Sequence, residues 1–458
     1  MPYLTAQLDA VEASMPFRVV GRVQAISGMT IEASDLTLPL GSLCRIDSFG
    51  GRTSDAEVIG FRQDRTLLMP LTPHAGVSRG DAIEGLSAAP RVWCSDQLLG
   101  RVLDGFGKPV DGKGPLRVSQ SRRIDGRGVR PLERRNIRQP LATSVRAIDG
   151  LLTCGLGQRM GIFSGPGVGK STLLSQIARH TSADVSVVAL VGERGREVQE
   201  FIENSLGEQG LRRCVVVVST SDDAPLLRVR AAKVACTVAE YFRDRGQHVL
   251  LMMDSLTRLA QAQRQIGLAA GEPPATKGFP PSVFSLMPEI LERAGNTATG
   301  SITGFYTVLV EGDDFNEPIP DAVKGISDGH LWLSRALANR GHFPAVDVLQ
   351  SISRVRGDVT DKPQQAAARR VLALTALYHD IEDLINIGAY VPGRNLEFDL
   401  AKEARPRIVE FLKQEAQSPL SLEAAKRQLT ELVAWVDQAE RVLKAPPGPK
   451  AAARAAAR

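Results

Sequence analysis

The run Arg159-Met160-Gly161-Ile162-Phe163-Ser164 leads into Gly165-Pro166-Gly167-Val168-Gly169-Lys170-Ser171-Thr172, and Leu173-Leu174-Ser175-Gln176-Ile177-Ala178-Arg179 leads out. The first run is short and apolar, as a buried strand is; the last carries its apolar residues at helical spacing. Strand, glycine-rich loop, Gly-Lys-Ser and helix in that order form a phosphate-binding P-loop. The glycines let backbone N–H groups turn inward around phosphate oxygens, and the helix N-terminus adds partial positive charge. Lys170 is positioned to reach the β- and γ-phosphates and the Ser171 hydroxyl to hold Mg²⁺. The usual first glycine of the pattern is Ser164 here; it is small, so the loop is expected to survive.

Working outward, further strands are expected at 185–191, 215–218, 249–253 and 301–310, each rich in Val, Ile or Leu and separated by helical stretches. That alternation predicts a mainly parallel sheet covered on both sides. Ligands of such sheets bind at the carboxyl ends of the strands. Gly192-Glu193-Arg194-Gly195-Arg196-Glu197 follows one strand and Asp254 another. Glu193 is a candidate for polarising the water that attacks the γ-phosphate, against the plainer reading of a surface charge cluster. Asp254 after four apolar residues has the Walker B form, an acid that binds Mg²⁺ through water. Arg258 lies four residues on, within reach of phosphate or Glu193. The Gly/Pro-rich stretch 271–281 excludes regular helix and suits an interface or pore lining. Arg354, in Ser351-Ile352-Ser353-Arg354-Val355, reads equally as a structural ion pair and as an arginine donated to another subunit's γ-phosphate.

Before this core, residues 17–92 change to short alternating strands, expected at 17–26, 29–33, 43–47, 52–60 and 65–70, and suggest a small β-barrel. In front of it Leu4, Leu8, Val11 and Met15 mark a short amphipathic helix over 1–16, suited equally to packing on its own domain and to docking a partner helix. Residues 92–116 read as a turn-rich connection. The cluster Arg122, Arg123, Arg127, Arg130, Arg134 and Arg135 that follows reads as a solvated linker face, with contact to acid or phosphate as the alternative. Residues 93–363 are assigned to the P-loop domain and 364–443 to a helical domain. Val371, Leu374, Leu377, Ile381, Leu384 and Ile385 form one core stripe there; Leu422, Ala425, Leu429, Leu432, Val433 and Val436 form another. Residues 444–458 are expected to be a disordered basic tail.

Composition narrows the function classes. The 458 residues are 43% hydrophobic and 23% charged, as in a soluble globular protein. No apolar run is long enough to span a membrane, and the first twenty residues lack the features of a secretory signal. Of the net charge of +5, four charges are Lys444, Lys450, Arg454 and Arg458. The near-neutral remainder gives no electrostatic case for a nucleic-acid binder. The five cysteines have no metal spacing and read as buried thiols in a reducing compartment.

These motifs together resemble the type III export ATPases, relatives of the catalytic β subunit of rotary ATP synthases. The resemblance spans about residues 17–440. It rests on 165–172, 192–197, Asp254-Ser255-Leu256-Thr257-Arg258, Pro280-Pro281-Ser282-Val283-Phe284, Glu292-Arg293-Ala294-Gly295, Tyr306-Thr307-Val308-Leu309-Val310-Glu311-Gly312-Asp313-Asp314, Asp328-Gly329-His330 and 351–355. It implies an α/β multidomain chain: N-terminal β-barrel, central RecA-like P-loop ATPase domain, C-terminal helical domain, assembled as a homohexameric ring. It implies ATP and Mg²⁺ as ligands, with Gly165, Pro166, Gly167, Val168, Gly169, Lys170, Ser171 and Thr172 cradling phosphate and Phe343 packing on adenine. It makes Glu193 the catalytic carboxylate, Arg194 and Arg258 basic residues near phosphate, Arg354 an arginine finger acting in trans, and 272–281 a pore-facing loop. The implied role is a motor that releases or unfolds export substrates, flagellar rather than injectisome by the run 351–360. It would sit in the cytoplasm at the inner face of the inner membrane. Implied partners are a stator-like subunit on the N-terminal helix, a central stalk, export-gate membrane proteins and chaperone–substrate complexes. The rivals are a rotary synthase subunit, a non-catalytic nucleotide-binding ring member and an RNA translocase. Glu193 with Arg354 argues against the second, and the near-neutral body against the third.

Overall fold

The computed structural model describes residues 18–48, 50–72, 74–117, 120–126, 128–310 and 317–445. The amphipathic helix expected over 1–16, Arg127, the Glu311-Gly312-Asp313-Asp314 motif and residues 446–458 of the basic tail lie outside the described residues. Two compact units emerge. Among the described residues, one comprises those in 18–137, 156–166 and 182–330, the other those in 138–155, 167–181 and 331–445.

The first unit begins with β1 (Val20–Ser27), β2 (Thr30–Ser34), β3 (Leu43–Ser48), β4 (Arg52–Arg62), β5 (Arg65–Pro70) and β6 (Ala82–Ser87). They close into a barrel in the order β1-β2-β5-β4-β3-β6. The two-residue period of a strand drives this: in β3, Cys44 and Ile46 point inward while Arg45 and Asp47 point out. Val23, Ile31, Ala33, Ala56, Val58, Leu68 and Ile83 complete the barrel interior. The sixth strand is an addition to the five expected. Only Ile83 of β6 is fully buried, so its alternation is faint, yet β6 pairs with both β1 and β3 and leaves the barrel without an open edge.

β7 (Arg91–Cys94), β8 (Val102–Leu103) and β9 (Gln120–Arg123) follow. β7 pairs with β9, and β8 lies parallel to a strand of the central sheet. The stretch read as a connection therefore also supplies the sheet's edge. The arginine cluster read as a solvated linker divides: Arg123, Arg130 and Arg135 are exposed, as read, whereas Arg122 and Arg134 are half-buried and paired. Arg122 meets Asp244 at 2.8 Å, and Arg134 donates to the carbonyls of Glu292 at 2.6 Å and Ala294 at 2.9 Å. These partners are more than a hundred residues away, which is why local polarity suggested solvent.

Two short strands, β10 (Pro140–Leu141) and β11 (Cys154–Gly155), pair in the second unit. The first unit's parallel sheet is built from β12 (Arg159–Ser164), β13 (Val185–Glu193), β14 (Cys214–Thr220), β15 (His248–Asp254) and β17 (Ser301–Leu309), with β16 (Gly295–Asn296) antiparallel to β17. The order is β12-β17-β15-β13-β14-β8. Every residue of β13 but its last is buried, as expected of a strand covered on both faces. Its register sets Leu190 opposite Asp254, and that of β12 sets Ser164 opposite Leu309, so Ser164, Asp254 and Glu193 all end strands at the same edge.

The second unit holds β19 (Val346–Ser353), hydrogen-bonded along β18 (Gly329–Leu333), and the helices Lys362–Asn386, Leu396–Leu412 and Leu422–Lys444. Asp361, Asn395 and Ser421 cap the helix starts with their side chains. Val371, Leu374, Ile381, Leu429 and Val436 are buried as read. Leu384, placed in the same stripe, is 44% exposed. Lys444 closes the last helix, its ammonium 2.7 Å from Glu440.

Candidate functional site

The P-loop residues from Gly167 to Thr172 lie in the second unit. Gly167 and Gly169 take φ of +76° and +86°, the left-handed region that L side chains enter only under strain. Gly169 caps the helix Lys170–His180, whose first-turn N–H groups have no intrahelical acceptor and face whatever the loop binds. A side chain on Gly169 would also come within 3.4 Å of the Phe343 ring. Phe343 is 46% exposed and its carbonyl accepts from the Gln414 backbone N–H at 2.9 Å. Gly167, Thr172, Gln176, Phe343 and Ala416 line a cavity of about 380 Å³, a size suited to a small organic ligand. Val168 is buried beneath the loop, whereas Pro166, Ser171 and Thr172 are exposed. Ser164 is fully buried at the end of β12 and its carbonyl accepts from Val310 N–H at 3.0 Å.

In the first unit, Glu193 is the half-buried last residue of β13. Asp254 ends β15 at 6% exposure, its Oδ1 accepting from the Thr307 hydroxyl at 2.7 Å. The turn carrying Glu193 is held by Gly192, whose φ is +73° and where a Cβ would lie 2.9 Å from the Arg258 Cβ. Only glycine satisfies both demands, and the close contact fixes Arg258 against that turn. Arg258 also donates its backbone N–H to the Ser255 cap at 3.3 Å. Arg194 is 73% exposed and 3.6 Å from Glu197. In the second unit Arg354 follows β19, exposed, with no hydrogen-bond or ion-pair partner among the described residues.

Sequence reasoning missed several members. Thr307 steadies Asp254, but β17 also carries Ser301 and Thr303, so nothing in the sequence singles Thr307 out. Arg228 approaches the same point beside Gly192 to 3.6 Å. Burial, joined by the nearby Arg258 charge and opposed by Asp223, holds Arg228 below its ordinary pKa. Gln176 and Gln414 line the second unit's cavity, and single glutamines on helices carry no motif.

Beside Phe343 in sequence, His342 is 4% exposed at a second cavity of about 150 Å³ lined by Asp347, Tyr378, His379, Glu382 and Arg405. Burial, with the Lys413 and Arg405 charges adding, pushes its pKa down to about 4. The folded state thus disfavours the imidazolium, whereas the unfolded chain takes a proton near pH 6.5. The stability His342 contributes is complete above about pH 6.5 and is lost as pH falls toward 4. The urea midpoint of the wild type relative to that of His342→Leu is expected to drop over that window; a constant difference would contradict a buried neutral imidazole.

No described helix is long and apolar enough to cross a membrane. Residues 144–353 match the ATP synthase alpha/beta family nucleotide-binding domain, and residues 360–431 the T3SS EscN ATPase C-terminal domain. The chain is 49% identical over 433 residues to the flagellum-specific ATP synthase of Bacillus subtilis (strain 168), covering 93% of this chain and 98% of the relative. It is 46% identical to the type 3 secretion system ATPase of Xanthomonas euvesicatoria, covering 94% and 98%. Among solved structures, the assembled ATPase EscN of the enteropathogenic E. coli type III secretion system superposes with a TM-score of 0.85 at 44% identity, over 90% of this chain and all of that one. EscN in complex with its central stalk EscO gives 0.84 at 43% identity.

Proposed function

The chain belongs to the ATP synthase alpha/beta family, in the branch of flagellum-specific ATP synthases and type 3 secretion system ATPases, and from that premise we propose how it hydrolyses ATP to drive type III protein export. The observation that carries the reading is the left-handed Gly167 and Gly169 backbone heading the Lys170–His180 helix beside a cavity walled by Phe343. The loop amides and Lys170 hold the phosphate oxygens; Phe343 covers the base. The Ser171 hydroxyl and the Asp254 carboxylate are oxygen donors of the kind Mg²⁺ takes when it keeps several waters, and they would hold it, Asp254 through water. When bound, Mg²⁺ neutralises charge on the phosphates. Glu193 accepts a proton from the attacking water. Arg258 and Arg194 add positive charge, and Arg354 acts on a neighbouring subunit's γ-phosphate. The exposed guanidinium of Arg354, without a partner among the described residues, supports that last role.

The assembled form of EscN and its complex with a central stalk support assembly and a stalk partner for this chain; the homohexamer with Mg-ATP held at subunit boundaries is assigned from the family resemblance of its motifs. A stator-like subunit on residues 1–16, export-gate proteins, chaperone–substrate complexes and a position at the cytoplasmic face of the inner membrane complete the reading. The flagellar apparatus is favoured by Ser351-Ile352-Ser353-Arg354-Val355-Arg356-Gly357-Asp358-Val359-Thr360.

The test is the ATPase rate per subunit as a function of protein concentration, with Lys170→Ala as the blank. The rate is expected to climb with concentration, because each site is completed by a neighbour. A Lys170-dependent rate that stays flat for a sample that sizes as a monomer would overturn the shared site. No rate above the blank, with or without a stalk protein, would leave nucleotide binding without hydrolysis.

A further inference from the structure

Ser144 of the second unit has a φ of +63°, unusual for a residue with a side chain. The fully buried Asp149 carboxylate holds it there, accepting from Ser144 N–H at 3.0 Å and from Thr143 N–H at 2.9 Å and Oγ1–H at 2.7 Å. The Ser144 hydroxyl donates to Leu420 O and accepts from Leu420 N–H, both at 2.8 Å. Its carbonyl accepts two side-chain amides, Gln414 Nε2 at 2.8 Å and Gln176 Nε2 at 3.1 Å.

A carbonyl only accepts, so both glutamines must turn their nitrogen toward it, and this fixes which way each amide faces. Gln414 is then fully engaged. Its second N–H goes to Ser418 O at 2.8 Å, and its Oε1 accepts from Arg146 N–H at 2.8 Å. Gln176 is not. It is 3% exposed and lines the cavity with Phe343 and Thr172, yet its Oε1 accepts from nothing among the described residues. An amide oxygen on a cavity wall with no protein donor is left to accept from what the cavity binds.

We propose that Gln176 reads the base of the nucleotide, its Oε1 accepting from the exocyclic amine of adenine while its free N–H meets the neighbouring ring nitrogen. A glutamine amide matches the donor and acceptor pair on an adenine edge in this way. Guanine carries a carbonyl where adenine carries the amine, so the same edge sets two oxygens against each other. Gln176 is thus a specificity-determining residue, and the Asp149–Ser144 arrangement, through Gln176, a positioning device. The inference rests on the nucleotide reading of this cavity given above.

The experiment is displacement of a fluorescent ATP analogue from the full-length protein by ATP, GTP and the triphosphate of purine riboside, which lacks the amine. Wild type is expected to bind ATP about tenfold more tightly than either of the others. Gln176→Leu is expected to bring the three together, ATP losing affinity and GTP regaining what the opposed oxygens cost it. Equal binding of ATP and purine riboside triphosphate by the wild type overturns the proposal without recourse to any variant. Unchanged selectivity in a folded Gln176→Leu protein overturns it too. Displacement that depends on Lys170 but ignores the base defeats this inference and leaves the nucleotide reading standing; no Lys170-dependent binding of any triphosphate defeats both.

Discussion

Exchange of Arg354 for alanine is expected to lower kcat by about 10³–10⁵ while ATP still binds, the range that a transferred arginine supplies in phosphoryl transfer. The size of the effect follows from where the charge acts. A guanidinium that meets the γ-phosphate as negative charge develops stabilises the transition state more than the ground state, so it raises kcat rather than affinity. The fold presents this residue outward from a firm base. Ser353 donates its hydroxyl to Thr153 O at 2.9 Å, and Ser351 donates to Asp347 O at 2.6 Å while accepting from Trp332 N–H at 2.9 Å. A lysine is expected to rescue little, because it cannot reproduce the planar fork. The trans assignment is checked by mixing subunits. Arg354→Ala and Lys170→Ala preparations, each inactive, should regain activity when assembled together, since some boundaries then pair an intact loop with an intact arginine. Failure of mixed rings to exceed either parent would place Arg354 in its own subunit's site or outside catalysis.

Glu193→Gln is expected to lower kcat by about 10²–10⁴, the usual contribution of a positioned general base. Glutamine keeps the size and polarity of the side chain but cannot take a proton. ATP binding should therefore persist and the chemical step, measured in a single turnover, should carry the whole loss. Glu197→Gln is the matched control. It alters the same acidic cluster four residues along, on the helix Gly195–Glu200 rather than at the strand end, and should leave kcat near wild type. Comparable losses in both variants would return Glu193 to the reading of a surface charge cluster.

The parts of the fold that could be read early share one property: their signal is local. Parallel strands buried on both faces are continuous apolar runs, so β12, β13 and β15 announce themselves, and the P-loop carries its own glycines. The parts that escaped depend on distant partners. β6 buries one side chain fully, and β8 is two residues long; each is a strand only because β1 and β3, or β14, lie alongside. Arg134 looks solvated until the Glu292 and Ala294 carbonyls arrive 158 and 160 residues later. The site divides likewise. Lys170, Glu193 and Asp254 follow strands in a recognisable order, whereas Thr307, Arg228 and Gln176 gain meaning only from neighbours that no spacing reveals. Leu384 shows the converse, since helical periodicity places it in the stripe and yet it is exposed.

The five cysteines bear on how the protein can be studied. All are free and buried. Burial pushes Cys44 and Cys94 up to about 12, Cys214 and Cys236 up to about 11, and raises Cys154 further still. The thiolate is the reactive form, so at neutral pH the folded chain offers almost none. A single cysteine introduced on an exposed loop would then be the one group to take a maleimide dye, with no need to strip the natural thiols from the core. Probes for fluorescence or spin-label distance measurements can be attached to the unmodified sequence one position at a time.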